Sequence, residues 1–140
     1  MLDLSTFDLE ADAVRGATVR LLNPRNGRAL AADDGSPVEI QVQGSDAPAY
    51  RAAQREVRQK IDARHVGESV PLTPEELSEH TASVLAAVTT GWRNIVVDGQ
   101  PWEFNREAAA ALYRRFAWIA VQVDATVTDR NRFGPDALAA

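Results

Sequence analysis

Apolar and polar positions alternate along residues 17–22 and again along 38–43, and from 47 onwards apolar positions recur at three- and four-residue steps. A period of 2 that gives way to a period of 3.6 predicts strands first and helices after them. Ala17-Thr18-Val19-Arg20-Leu21-Leu22 reads as a strand, and Asn23-Pro24-Arg25-Asn26-Gly27 as a turn, with Pro fixing φ and Asn-Gly accepting positive φ. Residues 28–32 read as a short returning strand, and Asp33-Asp34-Gly35-Ser36-Pro37 as a second, solvated turn. Val38, Ile40 and Val42 then share one face, opposite Glu39, Gln41 and Gln43. Residues 17–43 therefore predict an antiparallel β-meander with one buried face, which needs a helical layer to cover it.

Three helices follow in the pattern. The first spans about 47–64, with Ser45 or Asp46 as cap and Pro48 in its first turn. Tyr50, Ala53, Val57 and Ile61 form its apolar stripe, and Arg51, Arg55, Glu56, Arg58, Lys60, Asp62 and Arg64 fill the rest. Residues 65–72 read as a connector. Thr73-Pro74-Glu75-Glu76 is a capping box with proline at the first helical position, which starts a second helix running to about 89. Leu77, Thr81, Val84, Leu85 and Val88 are expected on its inner face. The third helix starts after Asn105 and carries Ala109, Leu112, Phe116, Ile119, Val123 and Val127 in an unbroken stripe to about 129. Between the second and third helices, Ile95-Val96-Val97 and 100–104 flank Asp98-Gly99, the signature of a tight β-ribbon. Trp92, Trp102 and Phe104 are expected to pack together at this joint.

The predicted fold is thus α+β: a small N-terminal antiparallel meander on a three-helix unit, with a β-ribbon between helices two and three. One domain is expected over 1–140, with an acidic arm at 1–14, the meander at 17–43, a helical part at 46–130 and a flexible tail at 134–140.

Composition narrows the chemistry. An apolar fraction of 45% supports a folded core, and the formal net charge of −5 opposes general nucleic-acid binding. The cationic residues of the first helix are interleaved with acids and read as a solvated face. No cysteine is present, so disulfides, thiol catalysis and cysteine-ligated zinc are excluded. Residues 1–5 have neither a basic nor an apolar run, so a secretory signal is not expected, and no apolar stretch approaches a membrane span. A phosphate loop, a nucleophile elbow and histidine–carboxylate ligand spacing are all missing, and the lone His80 has no carboxylate at ligand spacing. The expectation is a protein without catalytic residues, metal or cofactor, although a two-carboxylate hydrolase site stays open.

One ordered series of residues goes further. It begins with Val19–Leu22, Asn23-Pro24, Val38–Val42 and Asp46-Ala47-Pro48-Ala49-Tyr50-Arg51. It continues with Thr90-Gly91-Trp92-Arg93-Asn94, Asp98-Gly99, Phe104-Asn105, Leu112-Tyr113, Trp118-Ile119 and Asp129-Arg130-Asn131-Arg132-Phe133. In this series the chain resembles the small tail assembly chaperones of long-tailed bacteriophages and prophages. Similar proteins often carry proline at the position of Ala117, so a third helix without a kink is expected here.

The resemblance implies a non-enzymatic protein of the host cell cytoplasm, absent from the mature virion. It would bind the tape measure protein, help recruit tail tube protein, and in some cases have a longer frameshifted form. Helix-in-groove binding of amphipathic client helices suits this role, with repeated weak contacts adding up along the client. The nearest partner-binding candidates are Trp92, Trp102, Phe104, Tyr113 and Phe116, each of which also fits a core position. A structural tail or head–tail connector subunit that self-associates, and a DNA-binding regulator, stay open as alternatives.

Overall fold

The computed structural model describes residues 1–64 and 71–134. The connector at 65–70 and the tail at 135–140 lie outside the described residues.

The N-terminal acidic arm carries short local helices. A 3-10 turn at Leu4–Phe7 is followed by α1, Leu9–Arg15, and the carboxylates of Asp3 and Asp8 accept from the backbone N–H groups of Ser5 and Ala11. Only Ala13 of this helix is buried. Gly16 joins α1 to β1, Ala17–Arg20, at φ +90°, where a Cβ would lie 2.8 Å from the Val42 carbonyl oxygen.

β1 pairs antiparallel with β2, Glu39–Val42, with Val19 opposite Ile40. The expected returning strand contracts to two isolated bridges, Leu22 with Ala29 and Ala31 with Pro37. The Asn23–Gly27 turn closes through Gly27 N–H to the Asn23 carbonyl at 2.8 Å, and the Asn23 and Asn26 side chains accept from Arg25 and Arg28. Leu30 N–H still donates to the Leu21 carbonyl at 2.9 Å and Val38 N–H to the Leu30 carbonyl at 3.2 Å, so the segment runs between its neighbours, with turns at both ends closed by side-chain acceptors.

α2, Pro48–Arg64, and α3, Pro74–Val88, match the predicted helices. Thr73 caps α3: its Oγ1 accepts from Glu76 N–H at 3.1 Å and its hydroxyl donates to the Glu76 carboxylate at 3.3 Å. The inner face of α3 differs from the expected one. Ala82, Leu85, Ala86 and Val88 are buried, whereas Leu77 is 51% exposed and Thr81 is exposed. Small alanines let α3 approach α4 closely, and α4 is its main neighbour.

Residues expected merely to end α3 form a strand. β3, Thr89–Arg93, continues directly from the helix and completes a three-stranded sheet in the order β1-β2-β3. Ile40 lies opposite Trp92, and a bulge shifts the register between Gln41 and Val42. The ribbon follows as predicted: β4, Val96–Val97, pairs with β5, Gln100–Pro101. Asp98 at φ 54° and Gly99 at φ 77° supply the two positive φ values that a two-residue hairpin turn needs.

The expected unbroken third helix is two helices. α4, Arg106–Arg115, and α5, Ala117–Val127, meet at Phe116, whose φ −117° and ψ 85° leave the helical region. No proline is needed for this break. α5 turns there to pack on β1 and β2 as well as on α3 and α4. Its Gln122 carboxamide accepts from Leu22 N–H and donates to the Leu22 carbonyl, both at 2.8 Å, and so replaces a strand partner at the end of β1. A short 3-10 turn at Arg130–Arg132 brings Phe133 into the core. The core runs continuously from Val19, Ile40 and Val42 of the sheet through Leu85 and Leu112 to Val123 and Val127.

Candidate partner-binding surfaces

The structure separates the five aromatic candidates into three settings. Trp92, Trp102 and Phe104 form one cluster at the joint. Trp92 Nε1–H donates to the Trp102 carbonyl at 2.8 Å, and the Trp92 and Phe104 rings meet edge to face at 5.2 Å. Both tryptophans are half-buried against the core, and Phe104 is exposed. Trp102 is in turn held by its N–H bond to the Ile95 carbonyl. This cluster fixes the ribbon to the start of α4.

Tyr113 is a core residue, 2% exposed. Its hydroxyl lies 2.7 Å from Thr89 Oγ1, which donates to the Leu85 carbonyl. Burial pushes the phenol up to about 12, partly offset by the Thr89 hydrogen bond. No partner can reach this ring, so Tyr113 is not a contact residue in the folded chain.

Phe116 is half-buried and belongs to another surface. Its ring meets Trp118 edge to face at 6.5 Å, and the Arg115 guanidinium stands 5.1 Å from its centroid. Arg115 also donates to both Asp98 carboxylate oxygens, at 2.7 and 2.9 Å. The Arg115 hydrogen bonds hold the Asp98 carboxyl below the usual carboxylate range. Together these contacts fix the ribbon turn beside the α4–α5 break.

Phe116 and Trp118 line a depression of about 510 Å³, with Leu30, Val38, Val96 and Ile119 among the other walls. Its polar side chains are Asp33 and Asn94. Asn94, at φ 63°, has its side-chain N–H₂ committed to Ser36 Oγ and the Pro37 carbonyl. Val96 stands 59% exposed at the edge. Trp118 and Val96 were not among the sequence candidates. The alternation of 95–97 carried the signal for Val96, because one of two successive strand residues must face outward.

A second groove, of about 670 Å³, separates α2 from α3. Tyr50, Val57 and Ile61 of α2 and Val84 of α3 supply apolar lining, and Arg51, Arg55 and Arg58 stand over it. The exposed cations of α2 thus border an apolar trough. Asp124 also borders it, with its carboxyl raised by burial.

Among the described residues, no group of three or more histidine, aspartate or glutamate side chains is placed to hold a metal ion. The Asp33–Pro37 turn is closed by Ser36 N–H on the Asp34 carboxylate at 2.9 Å. No described helix is long and apolar enough to cross a membrane. In comparisons with known proteins, no family model matches this chain, and no curated protein or solved structure matches it either.

Proposed function

We propose that this chain is a non-enzymatic tail assembly chaperone that binds amphipathic helices of a tape measure protein and helps recruit tail tube subunits. The observation that carries the reading is the apolar depression walled by Phe116, Trp118 and Val96. A volume of about 510 Å³ with few free polar groups accepts two or three apolar side chains from one face of a helix. A client with many such helices would engage many copies weakly, and the contacts would add along its length. Phage context comes from the residue series given above, and the depression beside Phe116 and Trp118 supplies the means of binding.

A tape measure gene beside the gene of this chain, and co-expression of the two products, would test the reading. The native chain should keep the client soluble. Val96→Asp places a charge in the depression at an exposed position, so it should leave the fold intact by circular dichroism and lose the client. A client equally insoluble with and without the native chain would sink the chaperone role. A Val96→Asp variant as effective as the native chain would sink the groove assignment.

The exposed apolar side chains near the N-terminus favour one other reading, a self-associating structural tail subunit. Stoichiometric recovery of the protein from purified virions would establish it over the chaperone.

A further inference from the structure

Two features outside the apolar depression complement one another. The first is the segment before Ala13. Leu4 and Phe7 lie three residues apart in a 3-10 turn and so share a face, and they are 75% and 59% exposed. Leu2 is also exposed. The acids Asp3, Asp8, Glu10 and Asp12 are interleaved with them, and the first side-chain cation, Arg15, is paired with Asp12. The far end of the segment is held where Gly44 N–H donates to the Ala13 carbonyl and Gln43 Nε2–H to the Val14 carbonyl, and Leu9 lies beside Val127 and Phe133.

The second feature is the groove between α2 and α3. Tyr50, Val57, Ile61, Val84 and Leu85 give it an apolar strip, and the three guanidinium groups of Arg51, Arg55 and Arg58 beside that strip outnumber the carboxylates of Asp62 and Asp124. An acidic segment with exposed leucine and phenylalanine offers apolar side chains to this strip and charge opposite to its arginines.

We propose that the N-terminal segment of one copy seats in the α2–α3 groove of a second copy. Leu4 and Phe7 enter the trough beside Val57 and Ile61, and the acidic side chains face the arginines of α2. With the 3-10 turn and α1 kept, at about 2.0 and 1.5 Å per residue, Leu4 stands roughly 15 Å from Ala13, so the segment projects to a neighbouring molecule while Ala13 stays docked. Arm and groove are different surfaces, so the contact is heterologous. Each copy offers one of each, and association proceeds to a closed ring or an open row. The groove is not the depression assigned to the client, so this inference stands or falls apart from that function.

Because the native chain has no cysteine, introduced ones report the contact directly. Full-length Thr6→Cys and Gln54→Cys chains, mixed under mild oxidation, should form a mixed disulfide dimer. Thr6 is exposed in the arm, and Gln54 borders the groove without forming its floor. Thr6→Cys mixed with Gln100→Cys, exposed on the ribbon strand β5 and outside the groove lining, is the control. A yield no higher than the control overturns the proposal. So does a doubly substituted Thr6→Cys/Gln54→Cys chain that closes only within itself, which would make the arm a cover for its own groove. In sedimentation velocity, Phe7→Ser should weaken self-association by about tenfold or more, as expected for loss of one buried aromatic anchor. Arg55→Glu/Arg58→Glu should also weaken it, through reversed charge. A native chain that stays monomeric at every concentration tested would equally overturn the inference.

Discussion

Tyr113 shows how one side chain ties three elements. Its ring is buried in α4, and its hydroxyl reaches Thr89 at the start of β3, which bonds back to Leu85 of α3. Tyr113→Phe removes one buried hydrogen bond and keeps the packing, so it should cost about 1 kcal/mol in urea denaturation. Tyr113→Ala also leaves a cavity and should cost about 3–5 kcal/mol. Two aspartates act with opposite sign in pH. Hydrogen bonds from Arg130, at 2.8 and 2.9 Å, hold the Asp46 carboxyl below its ordinary value. Its stabilising contribution is therefore full above the unfolded-state value of about 3.9 and is lost as pH falls through the lower folded value. Asp46→Asn should flatten the acid limb of the stability–pH curve. Burial raises the Asp124 carboxyl. Between its ordinary and raised values the folded chain binds more protons than the unfolded one, so its contribution falls as pH rises through that window. Asp124→Asn should be more stable than the native chain at pH 7, and the difference should vanish below about pH 4.

At the scale of elements, local chemistry fixes starts and stops, and packing fixes direction. Thr73 caps α3 as its sequence dictates, and Thr73→Ala should cost about 1 kcal/mol by chemical denaturation. Gly16 is different, because its need is tertiary as well as local. Its positive φ and the nearby Val42 carbonyl both exclude a side chain. Gly16→Ala should destabilise by more than about 1 kcal/mol, and amide exchange should rise in α1 and β1 before the rest of the molecule. The α4–α5 break is a third case. A single non-helical residue at Phe116 leaves the three- and four-residue spacing of Leu112, Phe116, Ile119 and Val123 intact. Periodicity reads straight through such a break. The ribbon clamp by Arg115 and the docking of α5 on the sheet make the turn.

For the whole molecule, one core links strands from both halves of the chain. Val19, Ile40, Leu85, Leu112 and Val127 belong to a single buried cluster, which supports cooperative unfolding. The N-terminal arm stands outside it. Deleting residues 2–7 removes exposed leucines and Phe7 while keeping Asp8 as the cap of α1. The thermal midpoint should change little, whereas self-association should be lost. A large drop in the midpoint would mean that the arm packs on its own domain.

The sequence by itself determined the α+β class, the positions of α2 and α3, the Thr73 cap, the Asp98–Gly99 turn and the buried positions Ile40 and Val42. Each is set within a few residues, by φ restriction, a local hydrogen bond or side-chain period. Tertiary structure alone decided that Thr89–Arg93 joins the sheet, because its partner strand lies nearly fifty residues earlier. It decided that alanines of α3 face inward while Leu77 faces out, since close approach to α4 favours small side chains. The aromatic candidates divided on the same ground. Tyr113 and Phe116 sit three residues apart, yet one is sealed in the core and the other lines an open depression. What separates them is the direction in which α5 leaves α4, and that direction is set by contacts with strands distant in the chain.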